Sequence, residues 1–136
     1  MNGGLVRLTT LLGRVFLALI FFVSAAGKLA DYGGTVGHMT SQGVPMAKFL
    51  LAGAVFFEIA GGLMVLLGRW ARFGALLLVL FLIPTTLVYH DFWGYTGVER
   101  TAQMLQFMKN LAILGGLLMV CAYGSGPLGF DGRRRR

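Results

Sequence analysis

The sequence predicts an all-α fold, a four-helix bundle set in a membrane, on three observations. Of its 136 residues, 57% are hydrophobic and 12% charged, too little polar surface to coat a soluble globule of this size. A spanning helix needs about 20 mostly apolar residues, and four such windows follow one another, at residues 6–29, 46–67, 71–90 and 102–123. The third observation is chemical: Lys28, Glu58, His90 and Lys109 stand inside those windows or at their rims. A charge at the centre of a span costs roughly 2.5–3.5 kcal/mol even on the mildest scales, so such side chains face protein or a wet cavity. Residues 1–136 thus make one membrane domain, with 124–136 as a basic tail.

The first span opens around Arg7 and Arg14 and ends near Asp31, where Tyr32-Gly33-Gly34 breaks the helix. Residues 15–22, with Val23-Ser24-Ala25 behind them, also resemble the apolar core and cleavage site of a signal peptide. Lys28 and Asp31 fit a retained helix better. The polar connector that follows carries His38, Ser41 and Gln42; residues 35–42 suit a short interfacial helix, and Gly43-Val44-Pro45 resets the chain. The Gly68-Arg69-Trp70-Ala71-Arg72 turn is so short that spans two and three must be antiparallel neighbours. Trp70, Trp93 and Tyr95 take the places expected of interfacial aromatics. In span three, Pro84 removes a backbone donor and predicts a kink, with Thr85 and Thr86 at hand to re-satisfy the backbone. Gly124-Ser125-Gly126-Pro127 stops span four. Gly61, Gly62, Gly115 and Gly116 are expected to mark helix contacts, because close backbone approach is a main source of packing energy in lipid.

The net charge of +7 does not read as a nucleic-acid interface, because the basic residues gather at one end. Arg7 and Arg14, Arg69 and Arg72, and Arg133 to Arg136 all fall on one side of a four-span chain. The other side mixes Lys28, Lys48, Arg100 and Lys109 with Asp31, Asp91 and Glu99. The positive-inside rule then puts both termini in the cytoplasm. The Arg133 to Arg136 run is expected to meet anionic headgroups of the membrane lipid, at about 1 kcal/mol per basic residue. The single cysteine, Cys121, cannot form an internal disulfide or a redox pair and reads as a small apolar filler. A bundle this small leaves room for a homo-oligomer, though no seam is specified.

Helical spacing gathers the polar residues into stripes. Ser24, Lys28 and Asp31 share one face of span one; Gln103, Gln106, Lys109 and Asn110 fall on one side of span four; Thr86 and His90 are a turn apart in span three. At about 1.5 Å per residue, Glu58 lies roughly 15–18 Å below the outer start of its span, within reach of Lys28, Lys109 or both. An unpaired carboxylate at that depth takes up a proton, so pairing is the economical expectation. Two readings follow. Glu58, Lys28, Lys109 and Asn110 can form an ion-pair network that only fixes helix register. Alternatively they line a pocket that opens outward beneath Phe92, Trp93 and Tyr95. In the second reading Glu58 and His90 are the catalytic candidates, and Lys28, Lys109, Asn110, Gln106 and Trp93 hold the ligand. A quinone suits such a site: the polar groups bond its carbonyls, and His90, whose residue type titrates nearest neutral pH, supplies protons. Metal or haem binding is disfavoured, since one of the two histidines, His38, falls in a loop and no pair has ligand spacing.

Gly27-Lys28-Leu29, Glu58 with Gly61-Gly62, His90-Asp91-Phe92-Trp93 and Lys109-Asn110-Leu111, in that order, resemble the DoxX family from about Arg14 to Met119. The resemblance implies a four-helix bundle in a prokaryotic plasma membrane and association with redox proteins, since relatives serve as the membrane subunit of thiosulfate:quinone oxidoreductase. It carries Lys28, Glu58, His90, Lys109 and Asn110 over as the matching positions. With Cys121 alone, any thiol chemistry must come from a partner protein. A non-enzymatic membrane scaffold or assembly protein is the alternative.

Overall fold

A computed structural model describes residues 3–133, and every regular element among them is helical. The order is α1 (Gly3–Ala30), α2 (Tyr32–Ser41), α3 (Ala47–Leu67), α4 (Ala71–Tyr89), a 3₁₀ turn (Phe92–Gly94), α5 (Gly97–Tyr123) and the single turn α6 (Phe130–Arg133). Four of these, α1, α3, α4 and α5, are long and apolar enough to cross a membrane. The chain is a four-span membrane bundle, with α6 and the start of α1 at the same end. Phe16, Phe49, Phe56, Leu80 and Leu105 point outward, while Ala18, Ala25, Ala71 and Ala75 are buried between helices. Acyl chains are as apolar as leucine, so small residues that let backbones approach carry the packing.

The helices pack in the sequence α1 on α3, α3 on α4 and α4 on α5, whereas α1 and α5 touch sparingly. The closest approach is between α3 and α4. A Cβ on Gly61 would stand 2.7 Å from Leu78 Cγ and 3.0 Å from the Gly74 carbonyl. Gly62 admits Phe22 of α1, and Gly116 admits Leu17, which is where α1 and α5 meet. Gly115 faces open space, so it does not mark a contact as expected. Gly74 does, and was missed.

The first connector differs from the expectation in its breaking point. Gly33 and Gly34 lie inside α2; the break is Asp31, whose carboxylate accepts the Gly34 amide at 3.0 Å and caps the new helix. Pro84 lies within α4, where the Thr85 and Thr86 hydroxyls donate to the Phe81 and Leu82 carbonyls. α5 begins at Gly97, more than a turn before the apolar window at 102, with Glu99 in its first turn facing the positive end of the dipole.

The end bearing both termini is closed by a strap, residues 124–133. Asp131 accepts the Trp70 amide at 3.1 Å and the Ala71 amide at 3.0 Å, and its own amide donates to Gly68 O at 2.8 Å. One carboxylate therefore caps α4 and pins the tail. Arg14 is a correction to the sequence reading: it is no headgroup-level flank but 3% exposed, wedged by Gly68, Gly129 and Ser125. Its Nε and Nη1 have no protein acceptor, and Asp131 is the charge that faces it. The basic run expected to meet headgroups lies, beyond the Arg133 backbone, outside the described residues.

Candidate functional site

The centre of α3 is where burial and charge conflict. Glu58 is 1% exposed, and the Lys28 ammonium donates to both of its oxygens, at 2.9 and 3.0 Å. Lys28 enters from the last turn of α1, also bonds the Ser24 hydroxyl a turn earlier, and lies 5.7 Å from the centre of the Phe81 ring. Three helices thus converge on one ammonium: α1 supplies it, α3 neutralises it and α4 gives it an aromatic face. The lysine side chain keeps 22% of its surface exposed, so the pair is sealed on the glutamate side only.

The stripe expected on span four splits in two. Asn110 is buried and its Nδ2 donates to the Thr86 hydroxyl at 3.0 Å, while Gln103 Oε1 lies 2.9 Å from His90 Nδ1. Those two residues, seven apart, face α4 and lace the α4–α5 seam. Gln106 and Lys109 are exposed and bond each other, so Lys109 is not the partner of Glu58 that its depth suggested. One residue along a helix is a rotation of about 100°; with Asn110 on α4, Lys109 has to turn away.

It turns toward α1. Lys109 and Gly116 are seven apart and share a face, and Gly116 is the residue that meets Leu17. On α1, Leu17 and Ser24 are likewise seven apart, with Lys28 one turn further. Counting outward from the Leu17–Gly116 contact, Ser24 and Lys109 both lie about 10 Å further on. By register, Lys28 and Lys109 fall on the helix faces that carry Leu17 and Gly116, on two helices that barely touch. Among the described residues, Lys28 is neutralised by Glu58, and Lys109 bonds the Gln106 amide oxygen.

Trp93 sits elsewhere. It packs edge-on against Phe92 and Phe107, with ring centres 5.3 and 6.1 Å away, and Arg100 covers Phe92. Phe107 and Lys109 are two residues apart, about 200° of rotation, so this aromatic cluster occupies the far side of α5. The expected arrangement of aromatics roofing the ion pair is not what forms. Tyr95 terminates the same 3₁₀ turn, through its amide on the Phe92 carbonyl at 3.3 Å. His38 is on α2, within the stretch expected as a short interfacial helix, with its ring 5.8 Å from that of Tyr89. Grooves of ≈ 670 Å³ by Trp70 and Tyr123, and of ≈ 340 Å³ by Val36 and Lys48, both lie away from Glu58. Sequence reasoning also missed Arg14 and Asp131. An acid in a tail whose other charged residues are all Arg was the signal available for the second.

A four-span helical membrane bundle with an ammonium–carboxylate pair at its core is the class this geometry defines. The DoxX family profile matches residues 9–91, and the chain belongs to that family. It is 31% identical over 123 residues to the inner membrane protein YphA of Escherichia coli, covering 90% of this chain and 88% of that one. To the inner membrane protein YqjF of the same organism it is 34% identical over 121 residues, 89% and 88% of the two chains. The yeast ER-derived vesicles protein ERV29 is 30% identical over 81 residues, which is 60% of this chain but 26% of that protein. No solved structure matches. The chain is accordingly a multi-pass inner-membrane protein.

Proposed function

We propose that the chain is a membrane subunit of a redox assembly and takes a quinone-like molecule between α1 and α5, in the half of the bundle away from the termini. The observation that carries this reading is the pairing of Lys28 with Glu58 at the centre of a span, with the lysine still partly exposed. An apolar pair of the same volume would hold the helices as well or better, so stability alone does not account for buried charge. Two ammonium groups, Lys28 neutralised by a carboxylate and Lys109 not, favour a ligand bearing carbonyl or phenolate oxygens. Reduction of such a ligand takes up protons, and Glu58 through Lys28 can relay them. His90, at the outer end of α4, is the point of exchange with water. Arg7, Arg69 and Arg72 at the terminal end support a cytoplasmic side for both termini by the positive-inside rule. Electrons come from a partner protein.

Binding of a short-chain quinone to the purified protein tests this. Glu58→Gln and Lys109→Ala should each weaken binding about tenfold, a loss of one charged hydrogen bond, with unfolding midpoints close to wild type for Lys109→Ala. The sealed carboxylate favours a second reading, a scaffold whose charges only register the helices. Absence of quinone binding in any form of the protein would leave that one standing.

A further inference from the structure

We propose that the open-sided groove between the start of α4 and the end of α5 binds one anionic diacyl phospholipid of the leaflet at the terminal end. Its volume is ≈ 670 Å³, and its walls include Trp70, Phe73, Tyr123 and Pro127, with Arg72 and Asp131 among them. Trp70 and Tyr123 end two spanning helices and are both largely exposed, at the level where amphipathic rings meet headgroups. Arg72 is held in place: its Nη2 donates to the Ala122 carbonyl in the last turn of α5 at 3.1 Å. A guanidinium offers five donors in a fixed fork, so one anchoring bond leaves a planar face suited to a phosphodiester.

Charge decides the class of lipid. Asp131 is the carboxylate in the groove, and it is already engaged by the Trp70 and Ala71 amides and faced by buried Arg14. It does not neutralise Arg72. Arg69, 5.0 Å from the Trp70 ring centre, adds a further cation at the rim. The surroundings carry net positive charge, and basic pockets between spans take anionic headgroups. Size and lining decide between a lipid and free phosphate. Phosphate would fill one corner of a cavity on the scale of whole ligand sites, leaving the aromatic walls bare. A glycerol backbone and the first methylenes of two chains cover them.

The test is native mass spectrometry of the full chain released from micelles supplied with phosphatidylglycerol or phosphatidylcholine of identical acyl chains. One phosphatidylglycerol should be retained in preference to phosphatidylcholine by about fivefold, the contribution of one basic residue at the surface. Arg72→Gln should abolish the preference and Arg72→Lys keep part of it. Tyr123→Ala, at an exposed position, should lower retention of both lipids without unfolding the protein. Millimolar inorganic phosphate should not displace the lipid. Equal retention of the two lipids by the wild type overturns the proposal, as does displacement by phosphate. A preference that survives Arg72→Gln but vanishes when residues 134–136 are deleted places binding on the tail and overturns it too. So does a lipid-free dimer in which Tyr123→Ala restores the monomer.

Discussion

Replacing Lys28 by methionine keeps the length of the side chain and removes its charge, which isolates the electrostatic content of the core. Glu58, at 1% exposure, has both oxygens on that one ammonium. Breaking a buried pair by removing one partner costs about 3–5 kcal/mol. Because the lysine is partly exposed, the lower part of the range applies, about 3 kcal/mol. Adding Glu58→Leu should restore most of the loss, because two apolar side chains leave no charge to strand. Reversible unfolding in mixed micelles at pH 7 measures both variants. An unshifted Lys28→Met midpoint at pH 7, or a double variant as weak as the single, would refute the reasoning.

Lys109→Ala should change stability by less than about 1 kcal/mol, since an exposed bond to Gln106 on the same helix carries little; a shift near 3 kcal/mol in the same unfolding assay would mean that it, too, supports Glu58. Gly61→Ala should cost about 1–3 kcal/mol by forcing α3 and α4 apart at Leu78 and the Gly74 carbonyl, whereas Gly115→Ala should lie within about 0.5 kcal/mol of wild type; thermal midpoints in one detergent compare them. Asp131→Ala removes the cap of α4 and the charge facing Arg14, for a loss of about 1–2 kcal/mol from the cap alone, and Arg14→Met should recover whatever exceeds that. Proteolysis of the tail in Asp131→Ala should accelerate in parallel, and an unchanged rate would mean that the strap is held by something other than its carboxylate.

The bundle was legible because hydrocarbon leaves so few choices. A run of about 20 apolar residues in lipid must satisfy its own backbone, so four windows became four helices. Element ends were less legible, for a local reason at each. Gly33 and Gly34 look like breakers, yet Asp31 recruits the Gly34 amide and starts α2 through them. The polar residues ahead of 102 carry no apolar signal, and α5 still begins at Gly97 because its first turns lie outside the packed layer.

The candidate site was half legible, and rotation explains which half. Depth follows from counting residues, and it correctly brought Lys28 within reach of Glu58. It could not rank Lys28 against Lys109, since both lie deep enough. What separates them is the azimuth of each helix, which is fixed by contacts far along the chain. α5 is turned by Leu117 and Val120 in the core and by Asn110 on Thr86; Lys109, the neighbour of a residue already committed, is then carried away from α4 and left exposed. The same constraint hid Arg14, which reads as a flanking charge until the strap from 124 onward covers it. In a helical membrane protein a charge signals that a partner exists, and the packing of the neighbouring apolar residues decides which one. Lys28 meets Glu58 because it shares the buried face of α1 with Phe21 and Ala25, which turns it toward α3 past Ser24.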